Sequence, residues 1–288
     1  MNKEYVVSFV EKMLNQHWMS PPDRGIIPFL KRKLIPKSKV VQNMPQRLAN
    51  IVLTTKCNLR CFGCAARGPH WKSVTTKLPE MKKFLNVVRE LYPSCQVHLT
   101  GGEPTLYEGI EKVAKMIKEF GLDVDMLTNG ARRVDLTYFD NVYIDDHGVN
   151  REDVKRFSEH CKKYPHLNWG VKDKRWHRDT ALVREGIITK GARCESWMRS
   201  IMLQEDVIYP CCNMPFIDTW RGGDEIERAF RDAGWHVNNP DVADYVRRWR
   251  ETVPALAFKV CTLECWKHGK NVGWKNIEDW NRDSVSRA

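Results

Sequence analysis

The chain has 288 residues, of which 42% are hydrophobic, 29% charged and 10% aromatic. That composition excludes a disordered, collagen-like or low-complexity polypeptide, and the length allows about two domains of ordinary size. The net charge is +11, and residues 1 to 56 carry much of it, with ten Lys/Arg against three Asp/Glu. Apolar runs such as Ile26–Leu30 fall far below the ~18 residues a membrane-spanning helix requires. Lys3, Glu4, Glu11 and Lys12 interrupt any leader-like apolar core, so a cytoplasmic protein without a secretory leader is expected.

In chain order, Val6, Phe9, Val10, Met13 and Leu14 predict an amphipathic helix, which Ser20-Pro21-Pro22-Asp23 ends. An extended basic arm follows, with Lys31-Arg32-Lys33, Lys37 and Lys39. No stacking aromatics interleave these charges, so a solvated arm is the preferred reading over a nucleic-acid or membrane-surface contact. From Leu48 onward short apolar runs alternate with helical patterns. Strands are expected at Ile51–Leu53, Val97–Leu99, Val124–Leu127, Val142–Ile144 and Leu167–Val171, and helices near 79–92, 108–120 and 151–163. Such alternation predicts parallel strands with right-handed crossovers, and thus an α/β fold. Only 16 residues separate Asn129 from Asp145, too few for more than a short helix.

The unusual residues fall after the predicted strands: Cys57, then Gly101-Gly102-Glu103-Pro104, then Thr128-Asn129-Gly130, then Asp145-Asp146-His147, then Lys172. In a βα barrel these C-terminal strand ends share one mouth. The expected architecture is therefore a partial (βα)6 TIM-like barrel over residues 47–185. Residues 1–46 form the basic helix and arm, and 186–288 a small C-terminal module with five of the ten cysteines and seven of the eleven tryptophans.

Ten cysteines in a chain read as cytoplasmic point to metal rather than disulfides. Cys57, Cys61 and Cys64 put three thiolates into eight residues. Three ligands are too few for a closed tetrahedral zinc site, and they suit a 4Fe-4S cluster with one iron open. Farther along, Cys194, Cys211 or Cys212, Cys261 and Cys265 offer four more ligands, which fit a second 4Fe-4S cluster or, as the rival, zinc.

The CxxxCxxC of Cys57, Cys61 and Cys64, with the GGEP element at Gly101–Pro104, resembles the radical S-adenosylmethionine (radical SAM) superfamily. Asp206–Cys211 followed by Cys261–Cys265 resembles that superfamily's SPASM and twitch auxiliary-cluster modules. The match is partial: Asp206 stands where glycine is frequent, and the closely spaced cysteines of a full SPASM module are absent.

The resemblance implies S-adenosylmethionine chelated at the open iron. It places Thr100, Gly101, Gly102, Glu103 and Pro104 around the methionine part, with Glu103 and nearby carbonyls accepting from its ammonium. Asn129 and Asp145 are candidates for ribose and methionine contacts, against plain turn and strand-end roles. Phe62 is the aromatic candidate for adenine, with Gly63 standing where the superfamily usually has an aromatic.

The activity implied is hydrogen abstraction by a 5'-deoxyadenosyl radical from a small polar, sugar- or aminocyclitol-like substrate, with an electron donor such as flavodoxin or ferredoxin. The outcome would be dehydrogenation, as in the aminocyclitol dehydrogenase of butirosin biosynthesis, or epimerisation, as in the neomycin epimerase. Cys161 and Cys212 are candidate hydrogen donors beside Cys95, and most free cysteines are simply buried hydrophobes. Lys172 and His177 are candidate proton acceptors or anion clamps. The late tryptophans, Trp197, Trp220, Trp235, Trp249, Trp266, Trp274 and Trp280, could stack on sugar rings or fill a core. A radical SAM peptide maturase and a non-catalytic zinc and nucleic-acid binding protein are the other classes.

Overall fold

The computed structural model describes residues 48–59, 73–173, 176–178, 200–211, 214–215, 224–257 and 274–276. The basic arm, Phe62, Cys61, Cys64, Cys194, Cys212, Cys261 and Cys265 lie outside the described residues.

Five strands, β1 (Leu48–Thr54), β2 (Gln96–Gly101), β3 (Asp123–Thr128), β4 (Asn141–Asp146) and β5 (Asn168–Asp173), run parallel in sequence order. Helices α1 (Leu78–Leu91), α2 (Ile110–Glu119) and α3 (Arg151–Cys161) form the connections. Each helix carries an apolar stripe at helical spacing: Met81, Phe84, Leu85 and Val88 on α1, Ile110, Val113, Ala114 and Ile117 on α2, Val154, Phe157 and Cys161 on α3. These stripes bury against Ile51, Leu53, Val97, Leu99, Val124, Met126, Val142 and Ile144, in one continuous core.

No helix forms between β3 and β4. Leu136 and Phe139 from that loop are buried in the core instead. Asp140 fixes the loop's end, accepting from the Val124 amide (2.7 Å) and from Lys118 Nζ (2.9 Å).

The chain then adds an edge that the alternation did not foretell. Strand β6 (Trp176–Arg178) pairs antiparallel with β9 (Trp274–Asn276) in a separate two-stranded ribbon. Strand β7 (Ser200–Gln204) lies parallel to β1, and β8 (Val207–Tyr209) returns antiparallel beside it, giving a seven-stranded mixed sheet ordered β5-β4-β3-β2-β1-β7-β8. The tight turn at Glu205 adopts φ 53°, and its amide donates to Thr76 Oγ1 (2.9 Å). The described residues thus form a partial barrel-like α/β sheet extended by a hairpin.

Helices α4 (Glu225–Asp232), α5 (Val242–Arg247) and α6 (Trp249–Thr252) complete the described chain. Tyr209, Phe230 and Trp235 stack edge to face at 5.0 and 5.8 Å, and the Trp235 indole donates to the Thr252 carbonyl (3.1 Å). Trp235 is fully buried, so it fills core and is not available as a sugar-stacking face.

Arg231 on α4 clasps Asp206 beside β8 (2.7 Å) and Glu227 (2.9 Å). Burial alone would push the Asp206 carboxyl up, but the Arg231 guanidinium overrides it and holds it below its usual value. With Arg231 about a third exposed (36%), Arg231→Ala is expected to cost about 1 kcal/mol, or roughly 2–4 °C in Tm. A depressed carboxylate pKa stabilises the fold above its unfolded value and ceases to do so as pH falls through the folded one. The difference between variant and parent, followed by thermal melts, therefore closes below about pH 4.

Candidate functional site

The site is built where β1 ends. Beyond Thr54 the backbone turns through Thr55 and Lys56 to Cys57, and the end of β2 packs against that turn with almost no clearance. A Cβ on Gly101 would sit 2.1 Å from the Thr54 carbonyl oxygen, and one on Gly102 would sit 2.3 Å from that of Lys56 and 2.5 Å from that of Thr55. The Gly102 amide donates to the Thr54 carbonyl (2.7 Å) and the Glu103 amide to the Lys56 carbonyl (2.8 Å). The two glycines thus let one loop pin the cysteine-bearing loop by backbone hydrogen bonds.

The Glu103 side chain is held by donors of the protein itself. It is 1% exposed, and it accepts from Thr105 N (3.0 Å), Thr105 Oγ1 (2.6 Å), Thr128 Oγ1 (2.5 Å) and Asn129 N (2.7 Å). Burial raises its pKa against the opposing pull of these four donors. Glu103 therefore ties the end of β2 to the end of β3. Pro104 opens a short 3-10 turn, Pro104–Leu106, immediately after it, and Thr100 is a half-buried β2 residue paired with Val52.

What Glu103 fixes is Asn129. The Asn129 Nδ2 donates to Asn58 Oδ1 (2.8 Å) and lies 3.7 Å from Cys57 Sγ, while its Oδ1 is buried with no hydrogen-bond partner among the described residues. Asn150 closes the far side, its Nδ2 donating to the carbonyls of Asn129 (2.7 Å) and Asp145 (3.0 Å). The Leu59 amide approaches Cys57 Sγ at 3.4 Å.

A cysteine receiving two N–H donors at a strand end is suited to be held as a thiolate metal ligand, since such donors stabilise sulfur charge. An orphan acceptor beside it costs free energy unless a ligand donor meets it. These residues therefore fit an iron-sulfur cluster with an amine- or hydroxyl-bearing ligand next to it. Asn58, Thr105 and Asn150 were not singled out from sequence, and Thr128 only as part of a strand-end tripeptide; their side-chain roles appear only once the strand ends meet.

The remaining candidates divide. Lys172 is half-buried on β5, its Nζ 3.8 Å from the centroid of the Tyr143 ring, and the register sets it beside Asp145. His177 lies on β6, paired with Lys275. Cys211 is buried at 2% exposure, and among the described residues no group of three metal-binding side chains is found.

Cys161 lies apart from these polar groups. It is fully buried in the α3 stripe against the sheet's helix-covered side, and burial pushes its thiol up to about 11. Enclosed there, it packs the core and does not stand with the Cys57 cluster. Cys95 is likewise buried, its thiol pushed up to about 12 by burial.

Residues 51–166 match the family model of the radical SAM superfamily. A protein of Thermococcus kodakarensis named "Probable GTP 3',8-cyclase" is 34% identical over 114 residues, 38% of this chain and 37% of that protein. A protein of the same name from Saccharolobus solfataricus is 31% identical over 115 residues, with the same shares. The matched stretch thus spans little more than a third of these relatives. Among solved structures, BtrN in complex with AdoMet and 2-DOIA superposes with a TM-score of 0.50 at 15% identity, covering 80% of this chain and 94% of that one. This likeness concerns the fold alone. Among the described residues no helix is long and apolar enough to cross a membrane. Over residues 51–166 this chain is similar to the radical SAM superfamily of enzymes.

Proposed function

We propose that this chain binds a 4Fe-4S cluster through Cys57, Cys61 and Cys64, binds S-adenosylmethionine beside it, and removes hydrogen from a carbon of a small polar substrate of sugar or aminocyclitol type. The observation that carries this reading is the Cys57 loop locked by Gly101–Glu103, with the orphan Asn129 Oδ1 beside it. When bound, the cluster and S-adenosylmethionine supply a 5'-deoxyadenosyl radical as the hydrogen abstractor.

The chain's own residues do the positioning. Gly102 and Glu103 hold the Cys57 loop through their amides, Glu103 with Thr105 and Thr128 seals the floor beneath Asn129, and Asn129 Oδ1 accepts from the methionine ammonium or a ribose hydroxyl. Lys172 and Asp145 face each other across β4 and β5 as polar groups at the same strand ends. Residues 186–288 form an auxiliary module, in which Cys211 or Cys212 joins Cys194, Cys261 and Cys265 around a second 4Fe-4S cluster. Burial of Cys161 removes one of the spare thiols that epimerisation needs, which favours dehydrogenation of a carbinol carbon. The protein acts in the cytoplasm with a flavodoxin- or ferredoxin-type donor.

The test is anaerobic reconstitution followed by reduction with S-adenosylmethionine and a panel of cyclitols, aminocyclitols and nucleotide sugars. About eight irons per chain are expected, with 5'-deoxyadenosine formed and a product two mass units lighter. Zinc without iron, or no 5'-deoxyadenosine with any member of the panel, would overturn the reading.

A further inference from the structure

The sheet carries a second polar feature that the Cys57 cradle does not use. Register sets Asn50, His98, Asp125, Asn141 and Asn168 side by side across β1 to β5. One residue farther along, Ile51, Leu99, Met126 and Val142 point the other way into the core under α1–α3. Asn50, His98 and Asp125 stand third in their strands and Asn141 and Asn168 open theirs, and strand positions of a parallel sheet are ordinarily Val, Ile or Leu on both faces. A row of amides, a carboxylate and an imidazole breaks that rule on one face only.

The row is hydrogen-bonded from its open end inward and then stops. Asn168 Nδ2 donates to Asn141 Oδ1 (2.8 Å), and Asn141 Nδ2 donates to Asp125 Oδ1 (2.6 Å). Asp125 Oδ2 then stands 3.9 Å from His98 Nδ1, beyond hydrogen-bond reach. It has no other donor among the described residues, although Asp125 is 4% and His98 5% exposed. The Asp125 side chain as a whole is nearly buried, and a carboxylate so placed gains from a donor at its free oxygen. A hydroxyl set to one side of the pair, at the apex of a triangle with sides of about 2.8 Å, would bridge both, donating to Oδ2 and accepting from Nδ1–H of the neutral imidazole. An ammonium would meet a neutral imidazole and the nearby positive charge of Lys172, whose influence reaches both His98 and Asp125.

We infer that the Asp125–His98 gap is a substrate subsite that takes a hydroxyl of a polyhydroxylated ring, with Asn141 as the positioning residue behind Asp125. This rests on the reading that the chain acts on a small polar substrate, and it names the residues that recognise it.

The protonation states agree. Burial, joined by the Lys172 charge, holds the His98 pKa down to about 3, so the ring is neutral. Burial pushes Asp125 up to about 6; Asn141 and Lys172 pull it down, while Asp140 and Asp123 push it up. Tyr143 of β4, whose hydroxyl burial and Asp125 raise, completes the charged and titratable groups bearing on it. Asp125 is thus a strong acceptor above pH 6 and a weaker one below.

The test titrates myo-inositol, by calorimetry, into the anaerobically reconstituted holoprotein saturated with S-adenosylmethionine, between pH 5 and pH 8. Binding is expected to weaken at least fivefold from pH 7.5 to pH 5, and 1,4-diaminocyclohexane to bind at least tenfold more weakly than inositol at pH 7.5. Asp125→Asn should raise the inositol Kd at least tenfold and flatten its pH dependence. Should that variant fold poorly, Asn141→Ala serves instead: losing a donor that pulls the carboxyl down, it moves the midpoint to higher pH. Iron content and 5'-deoxyadenosine formation are read on the same samples, and their loss in the parent protein tells against the radical SAM reading itself. With both intact, the subsite is overturned by absent inositol binding, by tighter binding of the diamine, by pH-independent affinity, or by an unchanged Kd in Asp125→Asn.

Discussion

Gly102→Ala is expected to strip the protein of its iron as well as much of its stability. The added methyl would lie 2.3 and 2.5 Å from two backbone carbonyl oxygens, of Lys56 and Thr55, and neither is the end of a flexible side chain that could swing away. Relief requires the β1 and β2 ends to part by about an ångström, which breaks the 2.7 Å bond from Gly102 to Thr54 and the 2.8 Å bond from Glu103 to Lys56. Overpacking of this kind typically costs about 1–3 kcal/mol and each lost buried hydrogen bond about 1 more. Cys57 is one residue beyond the displaced turn, so cluster iron per chain and 5'-deoxyadenosine yield should each fall at least tenfold. Gly170→Ala is the matched control. No atom lies within 4 Å of its added Cβ, and its melting temperature and iron content should stay at the parent values. Equal behaviour of the two variants would show that the glycine contact does not hold the Cys57 loop.

Glu103→Gln should be nearly as damaging although it changes one atom. Every group around the carboxylate is a donor: Thr105 N and Oγ1 and Thr128 Oγ1 on one oxygen, Asn129 N on the other. An amide must set its NH2 against at least one of them, and the least crowded choice confronts the Asn129 amide. A buried donor facing a donor costs about 2–4 kcal/mol, or roughly 5–15 °C in Tm. The readout that separates this from simple destabilisation is S-adenosylmethionine affinity of the folded, iron-loaded variant below its melting temperature. Displacing the Asn129 backbone moves the acceptor oxygen beside Cys57, so affinity should fall at least fivefold. Unchanged affinity would confine Glu103 to a structural role and leave Asn129 without the task assigned to it.

Much of this was legible along the chain, and the reason is locality. A strand that ends in a thiolate-rich loop, and another that ends in two glycines and a carboxylate, are written in consecutive residues. So are the 3.6-residue stripes of α1, α2 and α3 and the shortage of chain between Asn129 and Asp145. What Glu103 does with its carboxylate was not legible, because Thr128 and Asn129 lie 25 and 26 residues away and reach it only when β2 and β3 align. Cys161 reads the same in sequence whether it faces a substrate or a core; the face of α3 on which it falls decides that it is core.

By itself, then, the sequence determined the alternating α/β plan and pointed to the kind of chemistry, since thiolate spacing, glycine pairs and apolar periodicity are properties of neighbouring residues. The tertiary structure alone decided that β7 lies against β1, that Trp235 is core, and that His98, Asp125, Asn141 and Asn168 share one row. The first and last of these depend on strand register, where a slip of one residue turns every side chain to the opposite face, and the second on how the segment after α4 folds back onto β8. Register is set by packing across the whole sheet and is written in no single segment of it.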